Sequence, residues 1–392
     1  MQTQKLGILG GGQLAWLTVQ EAKKLGFRAL AYVKNDGDPV CQDADETHVG
    51  ELDDLKALSQ FVDESDVVLF ESELVPLHVI SQLSHEAKGK FRPSLETMAV
   101  GANKWSQKQL FQKTGLASAP AFTEDQPESL LEKAEERFPE GYVLKWAQGG
   151  YDGHGVRVVR PTDKDHTAES LAFIRAATDK GHAVYAEALV PFQSEFAMVA
   201  TRNQAGDCTT YPLVESIQTQ GVCHYVRGPA TNRGISPDLE QQAQDACQKL
   251  GRELGIIGSF AIEFFLSEQG ELLLNEFAPR VHNSGHYSSD ASATSQFENH
   301  VRACLDLELG STVSAPHFAM INILGQADFT GAVQEPKFQT EGATCYWYGK
   351  AESRPMRKIG HVNLTAADQA SLEQKIKLVD EEIATWQKQA HS

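Results

Sequence analysis

The 392-residue chain is short of basic residues: 35 Lys and Arg stand against 53 Asp and Glu, a net charge of −18. That balance argues against a surface for nucleic acid or an anionic membrane, both of which call for a basic face. No apolar run approaches the ~20 residues that a bilayer-spanning helix needs. The six cysteines (Cys41, Cys208, Cys223, Cys247, Cys304 and Cys345) are scattered without a CxxC pair. The pattern fits neither a disulfide framework nor a structural zinc site, and it suits a reduced compartment. The opening MQTQKLGILGGGQL lacks the charged and apolar regions of a signal peptide, so a cytoplasmic protein is expected. A GxxxxGK[ST] loop and a GxSxG elbow are both missing, which argues against a Walker A site and a serine hydrolase. Internal repeats and low-complexity tracts are also missing. Length allows two to four domains.

What is present concentrates in ELLLNEFAPRVHNSGH, residues 271–286. An apolar strand ends in Asn275 and Glu276, and Arg280, His282, Asn283 and His286 then crowd into seven residues. The preceding run, SFAIEFFLSEQG, carries Glu263 among Ile262, Phe264 and Phe265. A short turn joins the two runs, so an antiparallel hairpin could set both carboxylates on one face. Two carboxylates and an Asn oxygen suit magnesium, which is often shared with substrate phosphates. His282 and His286 stand four apart, but Asn283-Ser284-Gly285 is a poor helix and a zinc pair is not expected.

Two glycine loops flank this centre in sequence. GGGQLA follows a strand at 5–10 and opens a helix from Gln13, so its amides and the helix dipole could hold a phosphate. A dinucleotide site with Asp36 or Asp38 on the ribose, a sugar-phosphate site and plain strand–helix packing all remain open there. The second loop, GGYDGHG, has four glycines in seven residues and follows Lys145 on a strand. Its backbone, including Gly150 and Gly153, could fold over phosphates above the lysine charge. The end of HAVYAEALV, from Glu187 to Val190, could offer an adenine edge, and Glu195 could hold ribose hydroxyls. Lys104 and Lys108 could face phosphate or simply form a solvated helix face. A basic cluster, Arg354, Arg357 and Lys358, lies in a tail expected to be small and β-rich. The stretch 95–114 reads as helical, and CTTYPLVES as a strand.

The order of these pieces resembles the ATP-grasp superfamily, and within it the N5-carboxyaminoimidazole ribonucleotide synthase family of purine biosynthesis. GILGGGQL, KWAQGGYDGHG, LLLNEFAPRVHNSGH, SQFENHVRACLDLELG and RPMRKIGHVNL carry the resemblance across nearly the whole chain. It implies an α/β fold of the α+β ATP-grasp type: a Rossmann-like pre-ATP-grasp domain (1–95), linker helices and a lid with the flap (96–186), a catalytic subdomain (187–315) and a β-rich C-terminal domain (316–392). It implies a homodimeric ligase using ATP, two Mg2+ ions (Mn2+ as a substitute) and bicarbonate to carboxylate aminoimidazole ribonucleotide. By the same resemblance Lys104, Lys145, Gly150, Gly153, Glu187, Val190 and Glu195 bind ATP, and Glu263 and Glu276 hold metal. Tyr151, Asp152, His154, Arg280, His282 and Asn283 surround bicarbonate and carboxyphosphate. Gly11, Gln13, Leu14, Glu73, Lys350, Arg354, Arg357 and Lys358 surround the ribonucleotide. The chain departs from the family pattern at Ala15-Trp16, Asn103-Lys104, Trp146-Ala147, His154 and Glu215-Ser216-Ile217-Gln218. A related carboxylate–amine ligase acting on another amine is the alternative. A nicotinamide oxidoreductase built on GGGQLA would leave the flap and the hairpin unexplained.

Overall fold

A computed structural model describes residues 4–149, 155–163 and 166–389. The expected flap residues Gly150, Tyr151, Asp152, Gly153 and His154 lie outside them.

Three sheets organise the chain. The first is parallel, in the order β3-β2-β1-β4-β5: β1 (Lys5–Leu9), β2 (Arg28–Val33), β3 (Glu46–Val49), β4 (Val67–Phe70) and β5 (Phe91–Arg92). The runs LGIL and VVLF are buried throughout, as a parallel sheet covered on both faces requires. Helix Gln13–Lys24 covers one face; helix Leu55–Glu64 covers the other, with Asp54 accepting from the amides of Lys56 and Ala57 at its start. Gly10–Gly12 and Glu71–Glu73 therefore emerge together at the carboxyl edge, where open α/β sheets bind ligands.

The second sheet is antiparallel, β6-β9-β7-β8: β6 (Ala121–Thr123), β7 (Tyr142–Trp146), β8 (Val156–Val159) and β9 (Val184–Ala188). Helices Pro127–Arg137 and His166–Thr178 pack on it.

The third sheet has nine strands: β10 (Phe192–Arg202), β11 (Cys208–Thr210), β12 (Val214–Thr219), β13 (Val222–Gly228), β14 (Gly258–Ser267), β15 (Leu272–Ala278), β16 (His317–Leu324), β17 (Thr344–Trp347) and β18 (Lys358–Ala366). Their order is β15-β14-β10-β12-β13-β16-β18-β17, with β11 on β10. One face packs Phe196, Met198, Ile262, Phe264 and Leu274 against helix Pro237–Glu253. Helix Gln296–Cys304 joins the first sheet's core through Phe297, Val301 and Cys304.

Three local expectations change. The 95–114 stretch is two helices, Leu95–Gly101 and Lys104–Thr114, because Asn103 leaves helical geometry and caps the second through the Ser106 amide. CTTYPLVES splits into β11 and β12 around Tyr211-Pro212-Leu213. The tail strands do not form a sheet of their own. They extend the third sheet through β13–β16 pairing, and a 21-residue helix, Gln369–Gln389, packs Leu372, Ile376, Val379 and Ile383 onto them.

Candidate ATP and ribonucleotide site

The acidic hairpin forms as its pattern suggests. Glu263 on β14 pairs directly with Glu276 on β15, and residues directly opposite share one face. A bulge leaves Asn275 as an extra residue between the pairs Glu263–Glu276 and Phe264–Leu274. Ala197 on β10 stands opposite Glu263, so Glu195, two residues earlier, adds a third carboxylate to that face. Burial, followed by the charges of Glu276 and Glu195, pushes the Glu263 carboxyl up to about 7. Glu276 accepts from Lys104 Nζ at 2.5 Å. Burial alone would lower the Lys104 amine, but Glu276, Glu263 and Glu73 outweigh it and raise its pKa. The face thus carries three carboxylates against one nearby ammonium in contact. Glu263, Glu276 and the Asn275 amide oxygen form an all-oxygen donor set with surplus negative charge, which fits a hard divalent cation.

Lys145 and Lys108 meet elsewhere, at Glu187. Lys145 on β7 lies diagonally across from Glu187 on β9 and pairs with its Oε1. Lys145 Nζ also reaches Asn275 Oδ1 at 3.3 Å. Lys108, one turn after Lys104, pairs with Glu187 Oε2 at 2.9 Å. Burial would raise the Glu187 carboxyl, but the two lysines hold it below its usual value. Lys108 itself is shifted down, by burial first and by Lys145 as well, despite Glu187. Lys108 is not part of a solvated helix face. Glu187, expected at the adenine edge, spends its carboxylate on lysines. The amides of Ala188 and Leu189 donate to Pro120 and Gly141, and Val190 leads on toward β10.

The glycine turn approaches these groups from the first sheet. The Gly12 amide donates to Glu71 Oε2 at 2.7 Å, and a side chain at Gly11 would run into Asp38. Burial raises the Glu71 carboxyl against the lowering effects of the Gly12 and Ala15 amides. Glu73 takes a bidentate contact from Arg280, Nε to Oε2 at 2.5 Å and Nη2 to Oε1 at 3.0 Å. Burial would raise Glu73, but Arg280 holds it low. His282 Nε2 stands 3.5 Å from Glu263 Oε1. Burial first, then Arg280 and Lys358, lower His282 to about 3, so the imidazole is neutral and this approach is not an ion pair. The Asn283 amide is engaged with Asn322 in a reciprocal pair at 2.9 and 2.8 Å. Gln13 starts the helix, and the Leu14 side chain is buried in the same core as Leu17 and Tyr348.

The tail brings its basic residues to the same place. Lys350 Nζ donates to the Lys358 carbonyl at 2.7 Å, and Arg357 Nη1 to the Glu352 carbonyl at 2.9 Å. Arg354 Nε contacts Glu352 Oε1 at 2.5 Å. Burial and then Arg354 lower Arg357, while Glu352 and Asp38 oppose this; Asp38 is the residue beside Gly11. Gln42 Nε2 donates to the Tyr348 carbonyl at 3.2 Å and ties the segment to the first unit.

Two departures from the family pattern, Trp16 and Trp146, turn away from this chemistry. Trp16 Nε1 donates to Asp43 at 2.7 Å while its ring packs edge-on against Tyr348. Trp146 packs on Phe173 inside the lid, with Lys180 Nζ 4.9 Å from its ring centre. Gln218 donates to Ser216 Oγ at 2.9 Å on β12. Two supports gave no clear sign in the sequence. Asn322 is a buried polar residue in the otherwise apolar run FAMINIL, and Gln296 takes the His282 amide on Oε1 at 2.9 Å.

Residues 3–101 match the ribonucleotide synthetase preATP-grasp domain, 109–297 the ATP-grasp domain and 319–375 the phosphoribosylaminoimidazole carboxylase C-terminal domain. The chain is 36% identical to the N5-carboxyaminoimidazole ribonucleotide synthase of Synechococcus elongatus, over 94% of this chain and 91% of that one. The structure of the Thermus thermophilus synthetase of that name superposes with a TM-score of 0.83 at 32% identity, covering 96% of this chain and 98% of that one. The Aspergillus clavatus synthase, solved with ADP and 5-aminoimidazole ribonucleotide, gives 0.86 at 29% identity, covering 98% and 99%. Agreement of this kind over nearly the full length of both chains, on the fold and motifs described above, means that the chain belongs to the N5-carboxyaminoimidazole ribonucleotide synthase family of ATP-grasp enzymes.

Proposed function

We propose that this chain catalyses the ATP-dependent carboxylation of 5-aminoimidazole ribonucleotide by bicarbonate, giving N5-carboxyaminoimidazole ribonucleotide, ADP and phosphate. The observation that carries this is the directly opposed Glu263–Glu276 pair, facing Lys104 and adjoining the Glu73–Arg280–His282 cluster. Bicarbonate is a poor electrophile. Transfer of the γ-phosphoryl group to one of its oxygens makes carboxyphosphate; the substrate amine then attacks the carboxyl carbon, the C–O bond to phosphate breaks and the amine loses its proton. Such transfer needs positioning and charge neutralisation more than covalent catalysis. Lys104 and Lys145 would supply positive charge beside the phosphates. Glu263, Glu276 and Asn275 would hold Mg2+, which neutralises phosphate oxygens when bound. Arg280, which Glu73 clasps, and neutral His282 would meet the bicarbonate-derived anion, and the family resemblance assigns Tyr151, Asp152 and His154 to the same anion. Gly11, Gln13 and the basic residues Lys350, Arg354, Arg357 and Lys358 would receive the ribonucleotide and its phosphate.

The family resemblance also supports a homodimer in the cytoplasm. No helix among the described residues is long and apolar enough to cross a membrane. The Trp16 and Trp146 departures serve packing, so neither favours a different amine. ATP turnover with and without bicarbonate, and with 5-aminoimidazole ribonucleotide against other amines, tests the proposal. Dependence on both substrates is expected; equal turnover with an unrelated amine would overturn it.

A further inference from the structure

The three lysines of the phosphate side are not equivalent. Lys104 is committed to Glu276. Lys108 and Lys145 share one carboxylate, Glu187, which they approach from a helix and from a neighbouring strand. The side chains of Lys108 and Glu187 are each 4% exposed, whereas that of Lys145 is 13% exposed and leans toward Asn275 on the metal side. A buried carboxylate stays ionised only when paired, and one cation is enough for one charge. Glu187 therefore has one ammonium more than its charge requires. The more exposed of the two, Lys145, is the one able to turn to an incoming anion.

We propose that Lys108 is a positioning residue for the nucleotide: by neutralising Glu187 from the buried side, it releases Lys145 to the phosphates. This rests on the ATP site described above. Without Lys108, Glu187 would have Lys145 as its lone partner, and phosphate would have to compete with a buried ion pair. On the same ground the Glu187 carboxylate serves the site through its lysines.

ADP binding in the presence of Mg2+, measured by calorimetry on the full chain, reads this without the ribonucleotide. Lys108→Met is expected to bind ADP about 10-fold more weakly and to raise KM for ATP more than it lowers kcat. Lys108→Arg, which keeps the charge, should stay within about 3-fold of wild type. In a Glu187→Gln background, Lys108→Met should have no further effect, because there is no carboxylate left to neutralise. Wild-type ADP affinity in a folded Lys108→Met variant would overturn the proposal. So would a further ~10-fold loss in the Glu187→Gln background, which would put Lys108 on the phosphate itself. If Lys108→Met alone does not fold, Glu187→Gln and the double variant decide: equal affinities support the proposal and unequal ones overturn it. Failure of the wild-type chain to bind ADP would overturn the nucleotide site and this inference together, whereas failure to carboxylate the ribonucleotide would leave the ADP result standing.

Discussion

Glu263 is the residue whose protonation the site controls most directly. In the metal-free folded chain it keeps its proton up to about pH 7, because it is buried and faces Glu276 and Glu195. In the unfolded chain it gives the proton up near pH ~4.3. The folded state therefore binds more protons between those values, and metal-free stability should fall as pH rises through that window. Mg2+ should oppose this fall and bind more weakly as pH drops below about 7, where it must displace the proton. Thermal unfolding across the window, with and without Mg2+, checks both signs, and Glu263→Gln should flatten the metal-free profile. A wild-type profile already flat without metal would contradict the assignment. At Glu276, replacement by Gln removes the charge opposite Glu263 and the partner of Lys104. Turnover should fall by roughly 100-fold or more while the fold persists, and saturating Mg2+ should not restore it. Activity within a few-fold of wild type would remove Glu276 from the metal set.

The glycine turn between β1 and helix Gln13–Lys24 is an element shaped by its neighbour, the Glu71 end of β4. Gly10 has φ +127°, and a Cβ there would also press on the Glu71 side chain. Gly26, at the far end of the helix, has φ +85° with open space around it. Gly26→Ala should therefore show backbone strain alone, about 1–3 kcal/mol in urea unfolding. Gly10→Ala should lose more stability than Gly26→Ala and also weaken ribonucleotide binding. Equal losses at the two positions would show that Glu71 imposes nothing on the turn. The turn was legible in GGGQLA because glycine spacing is local information, as was the acidic hairpin, where Glu263 and Glu276 flank a short turn. Lys108 was not legible: its partner Glu187 lies on a strand far along the chain, and helical lysines usually face water. Nor was the Asn283–Asn322 pair, which joins two segments that only the fold brings together. Leu14 is buried in the same core as Tyr348, a proximity no local pattern announces.

Across the whole molecule, the site exists because all three sheets and the tail reach one place. Arg280 follows the third sheet's β15 and clasps Glu73 from the first; Lys145 comes from the second; the connection from β17 to β18 carries Lys350, Arg354 and Arg357, and Lys358 opens β18. The parallel first unit and the lid strands were readable from runs of apolar residues and glycine turns. The shared nine-stranded sheet was not, because β13 and β16 are separated by a long stretch of chain that hides their pairing. Arg280→Met should leave Glu73 without its partner, raise KM for the ribonucleotide and lower the melting temperature; the loss of stability should stay below the about 3–5 kcal/mol of a fully desolvated pair, because the two side chains are 17% and 19% exposed. An unchanged melting temperature and KM would show that the clasp does not join the units. The proposed mechanism requires that bicarbonate itself be phosphorylated. Turnover with 18O-labelled bicarbonate, ATP and 5-aminoimidazole ribonucleotide tests it, because the C–O bond that breaks leaves a bicarbonate oxygen on phosphorus. One labelled oxygen in the released phosphate is the predicted result; phosphate carrying oxygen from water alone would contradict it.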